Sequence, residues 1–363
     1  YYGLAPDIGY AEYAPIIADH TIVDRFDDIP AYYMAEVKKM WITYPGESHS
    51  EDMQMGMTAL ESAYPAYDVN ITASGTPEAY TTSHLRYSRA TWGDINNSSG
   101  WIYDYGEEDW FTYTDGTYHY APNAVARTEA GLLYINNNGP ALYAMGFGWC
   151  WDYNDGINAD FYLQATQAYI DYCATNNIST KIFFTTGPDG SGGILPPSYN
   201  YNLYLRSEQI RSYVEADPSR VLFDFQDILS YNDAGQINTE TYDRHTYPVF
   251  HTDNEGGSAQ IHMGSVGSIR LAKAMWWMLA RMAGWDGMTT SAPEVDSTAT
   301  DILSFTLPAQ TSSATINTTN HTVSIEVANG TGLVSLSPTI TLSYGATINP
   351  ASGTARDFTN PVT

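Results

Sequence analysis

Met40-Trp41-Ile42-Thr43-Tyr44-Pro45-Gly46-Glu47-Ser48-His49-Ser50 is the stretch on which the reading of this chain turns. Residues 37–44 form a short strand-like run, and Pro45-Gly46 breaks it. Over 52–63 the apolar residues Met53, Met57 and Leu60 recur at helical spacing, so the order is strand, turn, helix. A serine in such a turn stands at the carboxyl end of a sheet, where a helix N-terminus favours developing negative charge. Ser48 is therefore a candidate nucleophile. The position equally suits a helix N-cap, a role for which Ser50 competes.

Outward from that turn the alternation continues. A second strand is predicted over 68–72, ending at Ala73-Ser74-Gly75, and helices over 124–136, 160–175, 203–216 and 266–284. Strands are predicted at 141–150, 180–186 and 220–225. Five strands separated by helices, several of them apolar throughout, imply an α/β domain whose five-stranded parallel sheet is covered on both faces. Ligands of such sheets bind at the carboxyl ends of the strands. Residues 1–30 lack periodicity and predict an extended N-terminal arm, leaving 31–288 for the α/β domain. The long stretch 93–123, rich in Trp, Tyr and acids, reads as a functional insertion.

Composition shifts after Trp285-Asp286-Gly287 towards Thr, Ser, Val and Ile. Strand-like alternation over 302–307, 314–316, 322–327 and 339–342 predicts a small all-β, sandwich-like domain over 289–363. It stops where a further strand is expected. Its open edge predicts strand addition from another chain, with Tyr1–Tyr10 as the first donor and a filament as the product.

A net charge of −26 excludes a nucleic-acid partner, which needs clustered Lys and Arg. No run approaches the ~20 apolar residues that span a bilayer. The chain opens at Tyr1 without a methionine and reads as a mature product or a trimmed piece of a longer one. Cys150 and Cys173 are either two buried thiols or one disulfide. With 30 Tyr and 9 Trp, much aromatic surface faces outward and suits sugar rings or protein contacts. Trp110, Trp149 and Trp151 are candidates to stack on sugar, with core packing as the alternative. His245 and His251 lack a third ligand at a telling spacing, so neither metal nor cofactor is expected.

The second catalytic candidate is His262 in Ile261-His262-Met263-Gly264, directly before the last predicted helix. A histidine there can reach the first strand's turn and act as general base to Ser48. Gly46-Glu47-Ser48, Gly75 and His262, in this order and placement, resemble the sequence blocks of SGNH (GDSL-like) hydrolases. Gly146-Phe147-Gly148-Trp149-Cys150-Trp151-Asp152 and Leu271-Ala272-Lys273-Ala274-Met275-Trp276-Trp277 look like a secreted bacterial subgroup that carries an appended β-domain.

The resemblance implies a flavodoxin-like three-layer SGNH-hydrolase fold followed by an immunoglobulin-like domain. It also implies an extracellular serine esterase that removes acyl groups, chiefly acetyl, from polysaccharide. Ser48 and Gly75 would supply the oxyanion N–H groups. Two departures accompany it. Ala259 stands where the family places an Asp three residues before the histidine, leaving Asp253 or Glu255 to orient His262. The third block has no Asn. These departures favour a rival expectation, a catalytically degenerate structural or adhesive protein that assembles outside the cell.

Overall fold

Trp41, Ile42 and Thr43 are all buried, and successive side chains of the strand enter different cores. Ile42 joins one apolar cluster with Met53, Met57 and Leu60 and with Leu271, Met275 and Met278 of the last helix. Trp41 joins another with Leu132, Tyr169 and Ile210, from three further helices. Strand side chains alternate across a sheet, so this one is covered on both faces. The computed structural model describes residues 14–46, 48–93, 100–103, 110–149, 159–187, 195–256, 262–288, 300–311, 314–342 and 346–362. The chain divides into two units, Tyr1–Ser291 and Ala292–Thr363.

In the first unit, five parallel strands lie in the spatial order Lys181–Ile182, Ala144–Met145, Trp41–Thr43, Leu85–Ser88, Val69–Thr72. Three more lie in the order Ile16–Ala18, Val221–Phe223, Phe184–Thr185. One run, Lys181 to Thr185, joins the two sheets. Phe183 N donates to the Met145 carbonyl at 3.0 Å, and Phe183 faces the first core while Ile182 and Phe184 face the second. The alternation therefore passes unbroken through the junction.

Two expectations change here. The segment foreseen as an arm over 1–30 contains, in its described part, the Ile16–Ala18 strand and a 3-10 helix, His20–Asp28, whose Ile22, Val23 and Phe26 are buried. Three apolar residues are too few to show a period. Their partner strand lies some two hundred residues on, and it supplies their hydrogen bonds. The Tyr1–Tyr10 segment itself lies outside the described residues.

The second change is a strand that the sequence reading left out: Leu85-Arg86-Tyr87-Ser88 lies beside Trp41–Thr43, and Val69–Thr72 lies outside it. Arg86 masks the strand in the sequence, yet it is 2% exposed. Backbone carbonyls of Lys39 and Glu78 accept from its two terminal nitrogens at 2.9 and 3.3 Å, which offsets part of the cost of burying the charge.

The second unit contains an antiparallel pair, Ile302–Thr306 with Thr339–Leu342, and a hairpin, Thr315–Asn317 with Thr322–Ser324. These fall where alternation predicts strands. Among the described residues, no helix is long and apolar enough to cross a membrane.

Candidate active site at the carboxyl ends of the strands

Gly46 and Gly148 meet in a parallel bridge just beyond the strands Trp41–Thr43 and Ala144–Met145. Gly148 N donates to the Pro45 carbonyl at 2.8 Å. Gly46 has φ +136°, and a Cβ there would lie 2.0 Å from the Gly148 carbonyl oxygen. Only glycine allows this approach. The helix Ser48–Ala63 begins two residues later, with Ser48 half-buried at its first position. Ser50, fully buried, donates its hydroxyl to the Tyr44 carbonyl. That bond ties the first helical turn back to the strand.

His262 reaches this turn through helix packing. Ser48–Ala63 lies against Ser265–Met282, and at Gly56 the backbones approach so closely that a Cβ would stand 1.9 Å from the Ser268 carbonyl oxygen. Just upstream, Met263 bridges to Glu255, and Gly264 N donates to the Asn254 carbonyl at 2.8 Å. The His262 ring consequently lies 5.8 Å from that of His49, the neighbour of Ser48, at an interplanar angle of 32°. His49 is buried, with Nδ1 3.0 Å from the Trp149 carbonyl oxygen. A carbonyl only accepts, so Nδ1 carries a proton.

Two further charged side chains close the site. Arg89, just after Leu85–Ser88, donates from Nη2 to the Gly46 carbonyl at 2.7 Å, and its Nη1 stands 4.0 Å from Glu51 Oε2. Asp52, one turn after Ser48, is 2% exposed, and Met263 N lies 3.4 Å from its Oδ2. Burial raises the Asp52 carboxyl to about 6. The Met263 N–H, His262 and Arg89 oppose that rise, and Glu51 adds to it.

An acid whose folded pKa lies above its unfolded value binds the extra proton in the folded state, so stability falls as pH climbs between the two. The window runs from the ordinary value of 3.8 to about 6. Asp52→Asn removes the buried charge. It should match the wild type in thermal melts near pH 4 and gain on the order of 2–3 kcal/mol above pH 7. Parallel melting curves across that range would refute this.

The other candidates are placed differently. Gly75 follows the outer strand Val69–Thr72, about 10 Å across the sheet from Trp41–Thr43 at ordinary strand spacing. Its carbonyl accepts from the Tyr103 hydroxyl. Asp253 is exposed; its Oδ2 accepts from Asn232 Nδ2 at 2.9 Å and lies 3.5 Å from His251 Nδ1, so it serves its own loop. Glu255 adjoins the site through its backbone bridge to Met263.

Trp110 and Trp149 are 1% and 2% exposed and offer no face to a sugar. They pack on each other at 5.7 Å and on Tyr162, and Trp149 Nε1 donates to the Thr185 carbonyl at 3.1 Å. Burying the large rings outweighs display, and a backbone acceptor satisfies the one polar atom of Trp149. Trp151, Cys150 and Ala259 lie outside the described residues. Cys173 is a buried free thiol, pushed up to about 11 chiefly by burial. It lines a shallow concavity with Ile16, Lys181 and Arg220 at the opposite, amino ends of the strands.

Asp52 and Arg89 escaped the sequence reading. Asp52 had a signal, since Ser48 and a residue four positions on share one helix face. Arg89 had none, because its strand was masked. Elsewhere Asp19, His20 and Asp227 bring ligand-type atoms within 4.8 Å of one another. They are engaged locally: Asp19 accepts from Thr21 N at 2.9 Å, and His20 Nδ1 lies 2.5 Å from Asp227 Oδ2.

Comparison with known proteins adds one family match. The family model described as "SGBP, N-terminal" matches residues 302–363, within the second unit. A crystal structure of "a putative glycoside hydrolase from bacteroides thetaiotaomicron vpi-5482" is 46% identical over 20% of this chain and 20% of that chain, with a TM-score of 0.17. The likeness thus spans a fifth of that protein's length. No curated protein matches the chain.

Proposed function

We propose that this chain is an extracellular, glycan-associated serine esterase of the SGNH type that removes acetyl groups from polysaccharide. The observation that carries the reading is that the His262 ring, just before the last helix, lies 5.8 Å from that of His49, the residue after Ser48. Parallel strands with apolar cores on both faces support it as well. The family match at residues 302–363 supports a glycan partner and a place at or outside the cell surface.

In this mechanism the Ser48 hydroxyl attacks the ester carbonyl and His262 accepts its proton. The oxyanion forms at the start of Ser48–Ala63, where the first backbone N–H groups have no intrahelical acceptor. Collapse of the intermediate expels the sugar alkoxide, which takes the proton from His262. Water, deprotonated by His262, then attacks the acyl carbon, and acetic acid is released as the Ser48 oxygen takes the proton back from His262. The wild-type chain should liberate acetate from an acetylated glycan.

A second reading rests on the same family match: a glycan-binding surface protein without turnover, able to assemble by strand addition at its β-domain. Retention of the chain in glycan-containing gels with no acetate released would favour this reading. Loss of both binding and turnover would overturn glycan association itself.

A further inference from the structure

The antiparallel strands Thr239–Tyr242 and His245–Pro248 turn through Asp243-Arg244, both with positive φ (43° and 69°), the pattern of a type I′ hairpin. Tyr242 pairs with His245 and Glu240 with Tyr247, so these side chains share one face of the hairpin. That face meets the helix Pro197–Glu215 at Tyr201 and Tyr204. The Tyr201 ring is stacked with His245 at 5.3 Å and 18°, and with Tyr204 at 6.2 Å and 25°, and it lies 5.8 Å from Tyr242. Tyr242 is 41% exposed, His245 is exposed, and Tyr201 and Tyr204 are half-buried. We propose that Tyr201, Tyr204, Tyr242 and His245 form a binding platform for a neutral polysaccharide chain, outside the turn that holds Ser48. The ligand rests on the glycan association proposed above; the geometry stands separately.

Polar contacts at the base already fasten the hairpin to the helix. Asn200 Nδ2 donates to Glu240 Oε2 at 3.0 Å, and the Tyr247 hydroxyl donates to the Pro197 carbonyl at 2.7 Å. The rings are thus held in place before a ligand arrives, which lowers the ordering cost of binding. Scattered exposed aromatics are ordinary, but near-parallel rings fixed on two elements make one continuous surface. Ring faces receive the C–H face of a sugar, while phenol and imidazole edges hydrogen-bond its hydroxyl groups. A net charge of −26 disfavours a polyanionic chain, which leaves a neutral one. Packing joins the platform to the candidate active site. Three residues after Tyr247, the Phe250 ring lies 6.1 Å from that of Phe225, and the Phe225 ring lies 5.5 Å from that of His49. A chain seated on the platform could therefore extend towards Ser48.

The test is affinity electrophoresis of the full chain in gels containing soluble starch or acetylated xylan, with NMR of the His245 ring Cε1–H, assigned with His245→Gln, as maltohexaose or xylohexaose is added. The wild type should be retarded in at least one gel, and the matching hexasaccharide should shift the His245 resonance. Tyr242→Ala and His245→Ala should each weaken the apparent affinity by about five- to thirtyfold, the range of an aromatic anchor. Tyr242→Phe keeps the ring face and should stay within about threefold of the wild type. Tyr80→Ala removes a ring that is 64% exposed ahead of Leu85–Ser88 and should match the wild type.

A wild type retarded in neither gel, an unmoved His245 resonance, or equal retardation of Tyr242→Ala and the wild type overturns the platform. So does a Tyr242-dependent dimer in sedimentation, which assigns the face to a second copy of the chain. Should a variant fail to fold, the His245 resonance of the wild type decides alone. Acetate release without a His245 response keeps the esterase reading and removes the platform; a His245 response without acetate release does the reverse.

Discussion

Ser48→Ala should reduce hydrolysis of p-nitrophenyl acetate and of acetylated glycan by about 10⁴–10⁶-fold, the scale seen when a serine nucleophile is removed. The covalent route disappears with the hydroxyl, leaving only weak assistance from backbone N–H groups and binding. Ser48 is half-buried and opens its helix. The fold should therefore lose no more than about 1 kcal/mol, the typical worth of a helix cap. A substantial drop in turnover with an unshifted melting curve assigns the effect to chemistry. Equal rates in wild type and mutant would remove Ser48 from any mechanism and leave the glycan-binding reading in its place.

Gly46→Ala should be strongly disruptive, because it combines a backbone clash with a strained φ. Gly46 has φ +136°, a region that L side chains rarely adopt, and its Cβ would stand 2.0 Å from the Gly148 carbonyl oxygen and 2.9 Å from Gly148 N. Backbone atoms cannot yield as a flexible side chain does, so the two strand ends must part. Parting them breaks the Gly148 N–Pro45 carbonyl bond and displaces the carbonyl that holds Arg89. The expected loss is at least about 3 kcal/mol, lowering the melting temperature by on the order of 10 °C. Turnover should fall even where the protein remains folded, because Ser48 follows two residues later. Gly75→Ala provides the contrast. That glycine also has a positive φ, +77°, but no atom lies within 4 Å of the place a Cβ would take, so only the backbone cost of about 1 kcal/mol applies. Equal stability of Gly46→Ala and the wild type would show that the strand ends separate freely.

Local sequence determined the elements whose chemistry is local. The strand at Trp41–Thr43, the break at Pro45-Gly46 and the helix through Met53, Met57 and Leu60 were legible because period and turn residues are written in adjacent positions. The long last helix and the four strands among the described residues of the second unit were legible for the same reason. Ile16–Ala18 and Leu85–Ser88 were not, since one is too short for a period and the other carries a charge whose burial is set by the folded surroundings, the Lys39 carbonyl among them. Ser48 and His262 could be picked out singly. The approach of His262 to His49, the residue after Ser48, follows from helix packing in which Gly56 lies against Ser268. Sequence likewise left Trp110 and Trp149 between sugar platforms and core packing, and offered Asp253 or Glu255 as the acid. The tertiary structure buried the two rings and gave Asp253 to its own loop, while it brought Asp52 against the backbone beside His262. Burial and the pairing of charges are properties of neighbours far apart in the chain, so only the folded arrangement fixes them.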